Sequence, residues 1–479
     1  MSLASALNTT KNIFSNTATQ TGVLSTNIQN TSNSDYNRRI AKTTTNLYSG
    51  ATTVTIERSE DAALLKQTLS ASSSDAGQQA LLAGLTSLNA SMGGDDYTAA
   101  PSAAISTFRD ALQTYAASPS DTTLASAAVN AAQNVATSLN TASTNVQSLR
   151  EQSDADIATD VTSLNSLLSQ FKDANDKVKS STAAGAVDND ALDTRSGLLK
   201  QISQIIGVTT VTRDNNDVAI YTSDGTTLFE TTPRAVTFDA TKTYAADSVG
   251  NSVYIDGVAV KAGTGSATTA QGSLQASLQL RDEVYPTYQS QLDEISRGLM
   301  SSFSETSGGG SVAGLFTTVD GTTVDYDTAS VIPGLSSLIT VNSAAVDDPS
   351  KLRDGSIAGD STNTEDASGY SDLLNKYVDG FQDQMDFDQS AGIGTGVTLL
   401  NYASDSVGWV EDYRSGASDA SETTSAMLSR SQDAYSNATG VNLDEELTLL
   451  LDVEQSYKAA SKLLSTVDDM LKTLMDAAS

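Results

Sequence analysis

Cysteine and histidine are absent from the 479 residues. Without cysteine there is no disulfide, no thiolate nucleophile and no cysteine-held zinc or iron–sulfur centre. Without histidine there is no Ser-His-Asp triad, no imidazole base and no histidine-held metal. Basic residues are scarce: 27 Lys and Arg stand against 58 Asp and Glu, a formal charge of −31. That balance argues against general binding to nucleic acid or an anionic membrane, which needs clustered cations, and it favours solubility. Aromatic residues make up 5% of the chain, with one tryptophan, Trp409, and apolar residues 38%. The composition predicts a thin core in an elongated body, and clear apolar periodicity argues against wholesale disorder. No apolar run approaches the ~18 residues of a membrane helix, so no membrane insertion is expected. Met1–Asn16 has no basic leader, compact apolar block or small-residue cleavage site, so it does not read as a secretory signal.

The two ends carry the clearest pattern. Leu3, Leu7, Thr10, Phe14, Thr17, Thr21, Leu24 and Ile28 alternate in steps of four and three, a heptad seam with small polar residues at three positions. Leu443, Glu446, Leu450, Val453, Tyr457, Ala460, Leu464, Val467, Leu471 and Leu474 repeat the pattern at the other end, and Glu446 alone breaks the apolar row. Asp444, Glu445 and Glu446 stand where a helix dipole favours negative charge, after a capping Asn442. Residues 1–42 carry a net charge of +3 and residues 443–479 one of −5. Two amphipathic helices of opposite charge can pair with each other or with copies of themselves. A seam this narrow is too weak for a lone helix, so the ends are expected to be poorly ordered alone and to order on stacking. The bland alternative is that they simply close one domain.

Between the ends, 60–92, 103–116, 121–180 and 191–206 read as helix, with turns at Gly93-Gly94, Pro101 and Pro119. From 207 the period shortens to two. Short runs such as Val218–Tyr221 and Val253–Ile255 are separated by Asp214–Asp217, Ser223-Asp224-Gly225 and Asp256-Gly257, which are hairpin signals. Helix returns over 274–304, with Pro286 as a kink, and over 370–390 and 397–437. Trp409 reads as a core anchor. The fold expected is mainly α with an inserted β-rich unit: an elongated helical rod whose N- and C-terminal helices pair as a coiled coil.

No catalytic, cofactor-binding or metal site emerges. Gly392–Gly396 lacks the Gly-Lys-Ser/Thr ending and preceding strand of a phosphate loop. Asp214–Asp217 and Asp188–Asp193 lack the calcium-loop order and read as turns and a helix start. Arg38-Arg39-Lys42 has no aromatic interleaving, so an acidic neighbour is expected for it rather than nucleic acid.

Ser25-Thr26-Asn27-Ile28-Gln29-Asn30, followed by Tyr36-Asn37-Arg38, resembles the N-terminal signature of the flagellar rod, hook and hook-associated proteins. Thr439–Glu446, Glu454–Lys462 and Ser465–Met470 resemble the matching C-terminal end. Asp193–Leu199, Arg281–Pro286 and Asp347–Lys351 point to the hook-associated branch rather than to flagellin or hook protein. Two positions depart from the pattern: Asp35 stands for a glycine, which puts the local turn in doubt, and Gln29 for an alanine. The resemblance implies a non-enzymatic structural subunit between hook and filament, exported unfolded to the extracellular flagellum without a cleaved signal. It implies copies of itself in a ring, hook protein, and a second junction protein or flagellin as neighbours, and an export chaperone on the C-terminal helix. It makes Asn27, Asn30, Tyr36 and Arg38 family-signature residues. Leu3, Leu7, Phe14, Leu24 and Ile28 form the N-terminal assembly seam; Leu443, Leu450, Val453, Tyr457, Leu464, Val467, Leu471 and Leu474 form the C-terminal one. The expected division is 1–42 with 440–479 as a terminal coiled-coil inner domain. A helical rod domain takes 43–206, 274–306 and 370–439, a β unit 207–273, and a reduced outer segment or loops 307–369. A secreted helical adhesin or enzyme is the alternative of a different class.

Overall fold

The computed structural model describes residues 3–45, 52–322, 324–325, 329–358 and 360–478. The chain opens with α1 (Leu3–Gln29) and an antiparallel hairpin, β1 (Arg39–Thr45) and β2 (Thr52–Arg58), registered with Arg39 opposite Arg58. Four helices follow: α2 (Ala62–Ser91), α3 (Pro101–Ala117), α4 (Thr122–Ala183) and α5 (Asn189–Ile205). Aspartates start three of them. The carboxylates of Asp61, Asp121 and Asp188 accept from free backbone N–H groups in the first turns of α2, α4 and α5. The 62 residues of α4 extend about 93 Å at 1.5 Å per residue. The apolar stripe along it, from Ala128 through Leu139, Val146 and Leu164 to Phe171, is buried.

Next come two three-stranded sheets, β3 (Val208–Thr212), β4 (Val218–Thr222) and β5 (Thr227–Phe229), then β6 (Val236–Thr237), β7 (Tyr254–Ile255) and β8 (Val258–Ala259). Their turns use left-handed residues: Asn215 and Asn216 between β3 and β4, Gly225 before β5, Asp256 and Gly257 between β7 and β8. Phe229 stacks edge-on against Phe171 at 5.1 Å, seating this unit on α4.

α6 (Ser273–Gln279) passes through a π-type turn, Leu280–Val284, into α7 (Tyr285–Ser302). Pro286 has no N–H to donate, and the wider turn in front of it lets the helix run on with a local distortion. The stretch up to residue 398 holds β9 (Glu305–Ser307), β10 (Gly310–Val312), β11 (Phe316–Thr318), α8 (Leu335–Leu338), β12 (Ile339–Val341), α9 (Ser343–Asp347), α10 (Lys351–Asp354), α11 (Asp372–Gly380), β13 (Gln384–Met385) and β14 (Val397–Thr398). Two long helices end the chain, α12 (Leu399–Thr439) and α13 (Leu443–Ala478).

One core joins α2, α3, α4, α7, α11 and α12, centred on Phe108, Phe303, Phe316 and Phe381. Trp409 is partly buried against it, 5.3 Å from the Tyr413 ring.

Three local features differ from the sequence reading. Residues 39–58 are a β-hairpin, although 43 onward reads as part of the helical rod; its Thr-rich strands have little apolar alternation to betray them. A second small hairpin, β13–β14, interrupts the helical pattern of 370–390. Residues 307–369 contribute Leu315, Phe316, Leu335, Ile339 and Leu352 to the common core, so much of this segment is packed inward.

Candidate functional site

α1 and α13 pack antiparallel. The Phe14 and Tyr457 rings meet edge-on at 5.0 Å, and Asn27 near the end of α1 meets Glu446 near the start of α13. Thr10, Thr17, Val23 and Leu24 are buried on α1, and Ala460 and Val467 on α13. Thr10 and Thr17 turn their hydroxyls onto the carbonyls of Ala6 and Ile13, which makes them small, self-satisfied seam residues. Both ends are thus helical and paired within the single chain, not the loose tails that a weak seam suggests. The reason lies at the base of the pair.

There Asn27 is wholly buried and uses all of its hydrogen-bonding capacity. Its Nδ2 donates to the Arg39 carbonyl at 2.8 Å and to Glu446 Oε2 at 2.9 Å. Its Oδ1 accepts from the Tyr36 hydroxyl at 2.7 Å and the Arg39 N–H at 3.0 Å. Arg38 Nε donates to the other Glu446 oxygen at 2.6 Å, and its Nη1 reaches Glu445 at 3.1 Å. A carboxylate with no exposed surface is tolerable here because a cation and an amide bind both of its oxygens.

The same loop is tied to the body. The Arg38 N–H donates to the Thr439 carbonyl at the end of α12 at 2.7 Å. Asn37 donates to Tyr435 of α12 and to the Ser59 carbonyl, both at 2.9 Å. Asp193 of α5 accepts from Arg58 Nε at 2.7 Å and from Arg39 at 3.1 Å. Burial pushes the Tyr36 phenol up to about 12; Arg39 opposes the rise, and Asp193, Glu446 and Asp190 add to it. The phenol therefore stays a donor to Asn27 at neutral pH. The joint gathers α1, the hairpin, α5, α12 and α13 around one buried polar knot.

Of the signature residues, Asn27, Tyr36 and Arg38 meet in this knot. Asn30 does not: its amide closes the end of α1 on the Thr26 carbonyl. Asp35 needs no left-handed backbone and pairs with Lys200 at 3.0 Å, so aspartate fits where relatives have glycine. Tyr435 is a knot residue with no sign in the sequence; Glu446, Arg39, Asn37 and Asp193 stood in the patterns read from the sequence but were not singled out as site residues. Glu446 was signalled as the single charge in an apolar row, and Asp193 lay in an internal block.

Of the seam residues, Leu24 and Val467 are buried, and Phe14, Ile28, Leu450 and Val453 half-buried. Leu7, Leu443, Tyr457, Leu464, Leu471 and Leu474 are exposed, Leu474 by 64%. Leu3 opens α1, and its side chain lies outside the described residues. Leu447, Leu449, Leu451, Leu463, Met470 and Met475 add to the exposed apolar surface of α13. Half of the large apolar side chains exposed among the described residues are on this one helix. Large apolar side chains exposed at this density on one helix mark a site for protein contact.

Beside the knot is a cleft of about 480 Å³ lined by Asn30, Asn33, Lys200, Gln204, Tyr435 and Ser436. These groups are amides and hydroxyls with one cation, Lys200, which is paired with Asp35 of the same lining. Among the described residues no cluster of three or more acidic side chains is placed to hold a metal ion. No helix is long and apolar enough to cross a membrane among them either.

Residues 85–322 match the family model described as the flagellar hook-associated protein FlgK helical domain. Residues 432–477, the end of α12 and nearly all of α13, match that of the flagellar basal body rod FlgEFG protein C-terminal family. No curated protein matches the chain. Among solved structures, the flagellar hook junction protein FlgK from Burkholderia pseudomallei is similar at 22% identity with a TM-score of 0.43. That likeness covers 53% of this chain and 46% of the other, so the chain spans under half the length of that relative.

Proposed function

The chain belongs to the flagellar hook-associated protein family, and on that premise we propose that it is hook-associated protein 1, the subunit joining hook to filament. A structural role in the flagellum comes with the family, which is not one of enzymes. In this reading copies form a ring, with hook protein on one side and a second junction protein or flagellin on the other. The subunit works outside the cell after export, and an export chaperone covers α13 beforehand. The terminal pair, 1–42 with 440–479, forms the inner layer, and the helical body with its β unit the outer one.

The observation that carries the reading is the unfinished surface of α13. α1 covers part of it, the knot fixes its base, and eleven large apolar side chains between Leu443 and Met475 are left exposed. An exposed stripe on a solvated helix is costly alone and favourable once neighbouring copies cover it. The −31 charge fits this arrangement, because like-charged copies need an apolar contact to hold together.

Leu464→Asp and Leu471→Asp test it. Both side chains are exposed in the single chain, so the fold and the helix content should persist. Incorporation into flagella and motility should be lost, because each change places an unpaired charge in a packed contact. A motile strain bearing either substitution would overturn the reading. Labelled protein on isolated flagella should form a short band between hook and filament. Label along the whole filament or hook would point instead to another axial subunit.

A further inference from the structure

A helix pair built on a repeat has no unique register. Most seam residues of α1 and α13 are apolar, and Thr10 and Thr17 spend their hydroxyls on their own helix. Sliding one helix past the other by a heptad, about 10.5 Å, still sets apolar or small groups against apolar groups. Glu446 breaks this degeneracy. Among the described residues it is the single charged side chain buried on either helix.

We infer that Glu446 sets the register of the terminal helix pair, with Asn27 and Arg38 as the groups that read it. In the observed register each Glu446 oxygen has its own donor, Asn27 Nδ2 at 2.9 Å and Arg38 Nε at 2.6 Å. A shift of seven residues one way brings Val453, the next seam position of its kind, in front of Asn27 and Arg38. The buried Asn27 amide and the partly buried Arg38 then face methyl groups, and Glu446 is carried past the end of α1 without a partner. The opposite shift moves Glu446 towards Gln20 and strains the short link from Gly440 to Asn442. That link is clasped at its start by the Arg38 bond to the Thr439 carbonyl. One buried polar residue that fixes register within an otherwise apolar seam is the best-attested use of such a group. The consequence for assembly rests on the function proposed above: a slipped pair displaces the whole α13 stripe, so it no longer meets its neighbours. The register itself does not depend on that reading.

The chain has no cysteine, so two engineered thiols are the only ones. The full-length chain is prepared as Phe14→Cys with Tyr457→Cys, and as Phe14→Cys with Leu464→Cys. Each is treated, dilute and monomeric, with a thiol cross-linker about one helical turn long. With Glu446 present, the 14–457 product should exceed the 14–464 product at least about tenfold, since slippage strands a buried charge. Adding Glu446→Leu should bring the two products to comparable yield with helix content unchanged by circular dichroism. Retention of the 14–457 preference in that background would overturn the inference. If Glu446→Leu loses helix, Glu446→Gln decides. It keeps the size but cannot satisfy both donors as a carboxylate does, so the 14–464 product should appear, and its absence would overturn the inference too. A chain that slips yet still enters flagella would sink the assembly reading and leave the register claim standing.

Discussion

Asn27 shows how much a single side chain decides. It binds a backbone N–H, a backbone carbonyl, a phenol and a carboxylate at once. Asn27→Ala leaves the buried Glu446 short of a donor and the Tyr36 hydroxyl without its acceptor. The expected loss is about 2–3 kcal/mol of local stability, read as faster hydrogen exchange along α1 with little change in α4. Tyr36 adds a pH dependence. Its phenol is raised from 10.0 to about 12 by burial. A raised acid contributes stability that is present below its unfolded value and lost as the pH passes its folded one. Protection of α1 should therefore fall between about pH 10 and 12, and Tyr36→Phe should remove that component of the fall. An unchanged alkaline profile in the variant would show that another group is responsible.

At the scale of elements, the break between α6 and α7 is built around a buried ion pair. Arg281, in the π-type turn, reaches Asp154 of α4 at 2.6 Å with both side chains 1% exposed, and Asp282 holds its other side at 2.8 Å. Arg281→Ala strands Asp154, with Tyr244 as its remaining side-chain donor. The expected cost is about 3–5 kcal/mol, seen as a lower urea midpoint. Replacing the pair together, Arg281→Met with Asp154→Leu, should recover only part of that loss, because the Tyr244 hydroxyl and the Thr241 N–H then lose their acceptor. The long helices were legible in the sequence because α2, α4 and α12 combine seam periodicity with aspartate or threonine caps. The β unit was legible from its Asn, Asp and Gly turns. The hairpin at 39–58 was not, because Thr43, Thr44, Thr45, Thr52, Thr53 and Thr55 give no apolar alternation to read. The knot was half legible. Asn27, Tyr36 and Arg38 stood in a motif, but Glu446, which binds Asn27 and Arg38, lies over 400 residues away, and Asp193, which binds the N–H of Asn37, over 150, distances that only the fold closes.

For the whole molecule, charge and apolar surface oppose each other. A chain of net charge −31 repels its copies, while on the proposed reading the exposed apolar side chains of α13 attract them. Salt shortens the range of the repulsion, from about 30 Å at 0.01 M to about 8 Å at 0.15 M, and leaves the apolar contact in place. Self-association of the purified chain, followed by light scattering, should rise with ionic strength over that range. Association that weakens with salt would mean that ion pairs, rather than the stripe, hold the copies together. The proposed division of labour follows. The knot holds the terminal helices to the body, and their outer face is left for neighbours.

The most direct test of that division is thiol accessibility at Met470→Cys in a chain that has no other cysteine. Met470 is 55% exposed in the single chain. The free subunit should react with a maleimide at the rate of an exposed helical cysteine, and the same position in intact flagella should be strongly protected. Equal reactivity in the two states would contradict the claim that neighbouring copies cover α13.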